Sequence, residues 1–238
     1  MKYIKMYIYF FLCANFFAQS GEVIYEAKIK TIDIVEKINN DSISEVQERY
    51  LKGVFKNQSN AYILTFNKNH SIFEQQKPLK EEKKTLNFAE RKMGKGAFFS
   101  NKLAKQIINK KIYIDYEFLI EIPAFQWKLS QEHKKIGDYT CYKATTIKYV
   151  EGRNGKMVRK VTAWYSPEIP YNFGPKDYNG LPGLILELEE DNLTIIATKI
   201  ALFPDKKIEI EKPEKGKKIT QKEYDSIVKE AYYKRRRN

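Results

Sequence analysis

The chain has 238 residues, 42% of them hydrophobic, enough for one substantial core. It carries only two cysteines, Cys13 in the apolar N-terminal stretch and Cys141, so a disulfide-stapled scaffold is excluded. Its 43 lysines and arginines against 30 acids give a formal charge of +13, a balance that favours anionic lipid, lipopolysaccharide or polysaccharide over nucleic acid for an exported protein. A plainer reading also stands, in which a chain rich in Lys, Asn, Ile and Tyr presents a solvated lysine surface.

Residues 1–20 have the layout of a secretory signal peptide. Lys2 and Lys5 precede the apolar run Tyr7 to Phe17, and Ala18, Gln19 and Ser20 follow. That run is shorter than the ~20 residues a spanning helix needs, and no later stretch is apolar enough to cross a membrane. Leu12 precedes Cys13 where a lipoprotein box has a small residue, which argues against a lipid anchor. The pattern predicts export to the periplasm or cell envelope, or release outside the cell, with the mature chain starting between Gln19 and Gly21. Cys141 is then the sole thiol, expected to pack inward as a small hydrophobe.

Beyond the leader, residues 21–238 read as one β-rich domain. Val23, Tyr25, Ala27 and Ile29 alternate along Gly21 to Thr31, the period of a half-buried strand. Asp41 to Phe55 changes period: Ser42 and Glu45 form a capping box and Ile43, Val46, Tyr50, Leu51 and Val54 a helical stripe. A hairpin is expected from Tyr62–Phe66 and Ser71–Glu74 around Asn67-Lys68-Asn69. Residues 77–96, highly charged and broken by Gly94 and Gly96, read as a mobile insertion. Lys111 to Ile122 alternates as one long or two short strands. Tyr139–Val150 and Met157–Tyr165 form a hairpin turning at Asn154-Gly155, and Leu184–Leu188 pairs with Leu193–Ile200. A basic linker, Lys212 to Lys218, leads to a last helix in residues 212–238, capped by Thr220 with Glu223 and striped by Tyr224, Ile227, Val228, Ala231 and Tyr232. Its terminal Lys234-Arg235-Arg236-Arg237 complements the helix carbonyl end, and peripheral contact with an anionic surface is a second reading.

Between the last two hairpins lies the densest constellation. Four of the eight prolines, Pro167, Pro170, Pro175 and Pro182, sit among Tyr165, Tyr171, Phe173 and Tyr178. Proline lowers the entropy lost on ordering, and aromatic rings give large contact areas, so the loop is suited either to hold an extended or hydrophobic ligand or to plug the sheet. The candidate ligand-binding residues are Trp164, Tyr165, Tyr171, Phe173, Tyr178 and Leu181. Gly180, Pro182 and Gly183 are the structural turn, with Pro182 presetting φ, Gly183 supplying the positive φ of a type II turn and Gly180 allowing a close backbone approach.

Catalytic patterns are sparse. No histidine pair has metal-binding spacing, no Gly-x-Ser-x-Gly elbow occurs, and no glycine loop ends in Lys-Ser or Lys-Thr, so no catalytic residue, metal or cofactor is expected. His70 and His133 read as exposed, and Glu187 and Glu189 share a strand face expected to be wet.

The hexapeptide Gly180-Leu181-Pro182-Gly183-Leu184-Ile185, preceded by Trp164-Tyr165-Ser166-Pro167-Glu168-Ile169-Pro170 and Gly174-Pro175, resembles the GLPGLI family of exported bacterial proteins. The resemblance covers roughly Trp127 to Ile200 together with the leader, and implies a compartment and an architecture without an activity. The elements combine into a mainly β (α+β) fold: a single curved antiparallel sheet of eight to ten strands, half-barrel-like, with one helix near the N-terminus and one at the C-terminus. The expected function is that of an exported cell-envelope binding protein holding a hydrophobic or extended ligand on the curved sheet. The alternatives are an accessory subunit docking on an outer-membrane transport or secretion protein partner, and, third, a hydrolase.

Overall fold

A computed structural model describes residues 20–30, 59–76, 88–152 and 155–237. Residues 1–19 of the leader expected over residues 1–20 and the helix expected over residues 41–55 lie outside the described residues, as do residues 77–87. Alternation of apolar and polar side chains dominates the chain, and the structure is accordingly mainly β, with twelve strands in one open curved sheet and two helices among the described residues.

The strands are β1 (Ser20–Ile29), β2 (Ser59–Asn67), β3 (His70–Gln75), β4 (Gly96–Asn101), β5 (Gln106–Tyr113), β6 (Tyr116–Ile122), β7 (Lys128–Ile136), β8 (Tyr139–Gly152), β9 (Gly155–Ser166), β10 (Leu184–Glu190), β11 (Leu193–Phe203) and β12 (Lys217–Ile219). Helix α1 is Phe88–Met93 and α2 is Gln221–Arg237. Their order across the sheet is β12-β6-β5-β4-β3-β2-β1-β11-β10-β9-β8-β7. Two sequential meanders, β2 to β6 and β7 to β11, therefore meet only at β1. There Val23 lies opposite both Leu64 and Ile200, and Ala27 opposite Ile195.

Neighbouring strands are antiparallel except at one edge, where β12 adds parallel to β6. The basic stretch expected as a linker thus supplies a strand, because Ile219 finds an apolar strand edge opposite Ile120. The hairpins expected around residues 67–69, 152–155 and 191–192 are present, and Lys111 to Ile122 resolves into the end of β5 and β6 around a turn at Ile114-Asp115. Within residues 77–96, α1 docks rather than projecting: Ala89 and Met93, one helical turn apart, enter the main core.

One face of the sheet carries that core. Val23, Tyr25 and Ala27 of β1, Tyr62, Leu64 and Phe66 of β2, Phe73 of β3 and Leu188, Leu193 and Ile195 of β10 and β11 are buried on it. A smaller cluster of Phe99, Ile108 and Leu119 lies across β4 to β6, covered by Ile210. Helix α2 is capped as its sequence indicates, with the Thr220 N–H donating to Glu223 Oε2 at 2.7 Å and the Glu223 N–H to Thr220 Oγ1 at 3.2 Å. Its Tyr224 ring meets Phe118 edge-on at 5.6 Å.

Candidate functional site: the proline- and aromatic-rich loop and its ionic bed

Strand β9 ends at Ser166 and β10 begins at Leu184, and the chain between them lies over the covered face of the sheet. Backbone hydrogen bonds fold the loop on itself: the Gly180 N–H donates to the Asn172 carbonyl at 2.9 Å, Leu184 N–H to Ile169 at 3.0 Å and Ile185 N–H to Phe173 at 3.0 Å. Further bonds tie it to strands on both sides. The Trp127 indole N–H donates to the Asn179 carbonyl at 2.8 Å, and the Asn179 amide to the Ser100 hydroxyl of β4 at 3.1 Å. Glu168 accepts the Thr140 N–H at 2.8 Å, and the Tyr25 hydroxyl donates to the Ile185 carbonyl at 2.5 Å.

The turn geometry reverses the two glycine roles expected from the motif. Gly183 makes an i to i+2 bond to the Leu181 carbonyl at 2.8 Å, a tight turn centred on Pro182. A Cβ on Gly183 would lie 2.2 Å from the Ser166 carbonyl oxygen, so this residue is the one needed for close approach. The positive φ, +90°, belongs to Gly180, where an added Cβ would meet nothing within 4 Å. A proline preceding a glycine signals a tight turn in sequence, but cannot say which glycine faces a neighbouring backbone.

Of the six candidate ligand-binding residues, Tyr165, Tyr171, Phe173, Tyr178 and Leu181 are buried. Phe66 of β2 contacts Tyr171 at 4.7 Å and Phe173 at 6.4 Å between ring centroids, and Tyr178 stacks on Phe125 at 4.7 Å. Trp164, on the opposite face of β9 from Tyr165, stays half-buried with the Lys134 ammonium 4.4 Å from its ring centroid and Lys143 at 5.9 Å. Lys134 is held there by both oxygens of Glu187 at 2.8 Å. Glu187 is buried, not wet as its alternation implied, because a register shift after Ile185 and coverage of both faces of β10 enclose the strand. His133 is exposed and Cys141 is buried, its thiol pushed up to about 11 mainly by burial.

Beneath the loop is a set of charges that the sequence reading did not single out. Lys176, 6% exposed, reaches Glu190 at 2.5 Å, and Arg159 of β9 reaches the other oxygen of Glu190 at 2.7 Å. Lys148 of β8 meets Asp177 at 2.7 Å. Burial alone would raise the Glu190 carboxyl, but Lys176, Lys148 and Arg159 override it and hold the group well below the usual carboxylate range. Burial, reinforced by Glu190 and Asp177, pushes the Tyr178 hydroxyl far above its ordinary value. At neutral pH the carboxylate stays charged and the phenol stays protonated, so the cluster holds shape and charge and exchanges no proton. Lys176 and Asp177 stood in plain view between Pro175 and Tyr178. A charged pair inside an otherwise apolar, proline-fixed loop was the signal for a buried ionic footing.

Among the described residues no group of three or more His, Cys, Asp or Glu side chains is arranged to hold a metal ion. No described helix is long and apolar enough to cross a membrane.

A family model described as "Protein of unknown function (Porph_ging)" matches residues 127–160 and 151–187, the stretch from β7 through the loop into β10. No curated protein matches. Two solved structures, described as "Structure of PNGF-II in P21 space group" and "Structure of PNGF-II in C2 space group", are similar in fold at 16% and 15% identity, with TM-scores of 0.53 and 0.52. The alignment covers 89% of this chain and 33% of the PNGF-II chain, so the chain spans about a third of that protein's length. At this identity the likeness is one of fold alone, and the family model that matches part of the chain is itself of unknown function.

Proposed function

We propose that the protein is an exported cell-envelope module that binds a partner through its outer surface and sheet edge, with the loop of residues 167–183 as an internal plug. The observation that carries this reading is the burial of Tyr171, Phe173, Tyr178 and Leu181 against the sheet's own core. Side chains that could have lined a ligand bed are engaged with Phe66, Phe125 and Trp127. What stays available is β7, an edge strand paired, among the described residues, only to β8, mostly exposed and rich in lysine. An edge of this kind suits strand addition by a chosen partner, while its lysines and bulge discourage indiscriminate pairing. The leader pattern of residues 1–20 and the resemblance to the GLPGLI family support an envelope location. An outer-membrane transport or secretion component is the class of partner proposed.

A second reading is favoured by one observation. The loop rests on ion pairs and also buries Asn172 Oδ1 without a hydrogen-bond partner among the described residues. Buried polar contacts contribute less than close apolar packing, which suits a loop that lifts for an acyl chain or extended peptide. Native mass spectrometry of the protein recovered from its own envelope separates the two. A stoichiometric acyl or peptide ligand would overturn the plug reading. A clean mass, with cross-links to one envelope protein mapping to Lys128, Lys134 or Lys135, is the expected result.

A further inference from the structure

The β8–β9 ribbon outgrows its neighbours. Strand β7 pairs with β8 only as far as Thr145, and β10 pairs with β9 only from Val161 onward, so the rest of the hairpin projects as a two-stranded arm. On one face of that arm Tyr149 pairs with Val158 and Ile147 with Lys160. These three apolar side chains are exposed, Tyr149 to 74%. An isolated ribbon gains nothing from such residues in water.

The charge along the arm is mainly basic, although Glu189 of β10 and Asp191 just beyond it line the same surface depression as Val158 and Lys160. Between Thr146 and Lys160 the sequence has five lysines and arginines and the single acid Glu151. Lys148 and Arg159, on the other face, are engaged with Asp177 and Glu190 and fix the arm to the loop. Lys156 lies across from Glu151 in register, and neither Lys156 nor Lys160 has an ion-pair partner among the described residues.

A second exposed apolar tip lies at the same end of the sheet. Eight antiparallel steps separate β5 from β8, so the two strands run in the same direction and their hairpin turns share one end. Lys111, two residues before the end of β5, is near enough to Lys148, Asp177 and Lys176 for their charges to act on it, so the bases of the two hairpins lie on the same side of the loop. The β5–β6 turn presents Ile114 and Tyr116, and Ile114 holds φ +56° while 69% exposed. A β-branched residue in that region is strained, and here no packing offsets it.

We propose that this end of the sheet seats on an anionic lipid surface, with Tyr149, Val158 and Ile114 entering the headgroup boundary and Lys156 and Lys160 meeting lipid phosphates. An apolar arm flanked by lysine is what an interfacial contact requires, the rings and branched chains supplying burial and the ammonium groups supplying attraction; the second tip adds apolar area only, since its turn holds Asp115 and Lys110 is paired with Glu117 at 2.9 Å. The proposal stands independently of whether β7 docks a protein.

The test is flotation of protein recovered, as processed, from its host envelope, with vesicles of phosphatidylcholine alone or mixed with phosphatidylglycerol. The parent floats with the mixed vesicles, and less so as salt is raised. The pair Tyr149→Ser and Val158→Ser lowers partition about tenfold or more, and Lys156→Gln and Lys160→Gln lower it about fivefold for each charge removed. A chain ending at Tyr233 floats like the parent. As a control for folding, an environment-sensitive dye on Tyr149→Cys, the buried Cys141 being inaccessible, shifts its emission to the blue with mixed vesicles. A parent that stays at the bottom of the gradient, serine variants that float equally, a silent dye, or binding lost only on truncation at Tyr233 would each overturn the proposal.

Discussion

Removing the charge of Glu190 gives the sharpest test of the ionic bed. Its side chain is 2% exposed and accepts from Lys176 at 2.5 Å and Arg159 at 2.7 Å. Glu190→Gln keeps the shape and leaves Lys176 as a buried cation facing an amide. Breaking a buried pair from one side costs about 3–5 kcal/mol. For a chain of this size each kcal/mol moves the melting temperature by about 2–4 °C, so a drop of about 6–20 °C is expected. Replacing both partners, Glu190→Leu with Lys176→Met, removes the stranded charge and recovers most of the loss, since Arg159 is only half-buried. The pH dependence has a definite sign. The native carboxyl titrates well below its unfolded value of about 4.3, so the stabilisation is present above that value and is lost progressively as pH falls from it towards the native one. Calorimetry from neutral pH down to pH 3 should show the parent losing stability below about pH 5 more steeply than Glu190→Gln. A variant melting within 1–2 °C of the parent at neutral pH would refute the reasoning.

Other consequences are open to measurement. Gly183→Ala places a methyl group 2.2 Å from the Ser166 carbonyl and should lower the urea midpoint far more than Gly180→Ala, where only the positive φ costs about 1 kcal/mol; equal effects would reject the reversed roles. Cys141, buried with its thiol near 11, should react with a disulfide reagent at pH 8 far more slowly than a free thiol and accelerate on unfolding. Rapid native labelling would contradict that. Limited chymotrypsin digestion should cut at exposed positions such as Leu103, Tyr116 and Tyr149 and spare Tyr171, Phe173 and Tyr178, whereas early cleavage within residues 171–178 would show that the plug is open in solution. Deleting β12 and α2 uncovers the Tyr116–Ile122 edge, including Phe118, Leu119 and Ile120, and should produce concentration-dependent aggregation measurable by light scattering; a monodisperse product would argue against edge protection.

Much of the architecture was legible because alternation is a local signal. Val23, Tyr25, Ala27 and Ile29 announced β1, and Asn154-Gly155 announced the β8–β9 hairpin, since each rests on contacts within a few residues. Strand β7 was not legible, because Gln131 to Lys135 is polar on both faces and an edge strand needs no apolar stripe. Helix α1 was hidden for a different reason: only Ala89 and Met93 mark its buried side, and six residues are too few for periodicity. The loop stood out by its prolines and rings, but whether those rings face a ligand or a core depends on Phe66, about a hundred residues earlier in the chain. The pairing of Glu190 with Lys176 and Arg159 was likewise beyond reach, because strand register decides it and a bulge at Leu186 shifts that register.

The position of β1 has a consequence for how the molecule comes into being. Each meander closes between strands that follow one another in the chain, and each can form as soon as its own residues are available. β1 must meet β2 on one side and, on the other, β11, whose Phe203 pairs with Ser20 across 183 residues. Until the chain has been made to its eleventh strand, the first has only one partner and the two half-sheets stay unjoined. Loop closure over that span makes the joining step the slow one, and it depends on the strand that begins at Ser20. Assembly of the whole sheet therefore waits on β1, and a substitution at Gly21, where an added Cβ would lie 2.6 Å from the Phe66 ring and 2.9 Å from the Ala201 carbonyl oxygen, would lower yield and refolding rate as well as strain the finished pairing.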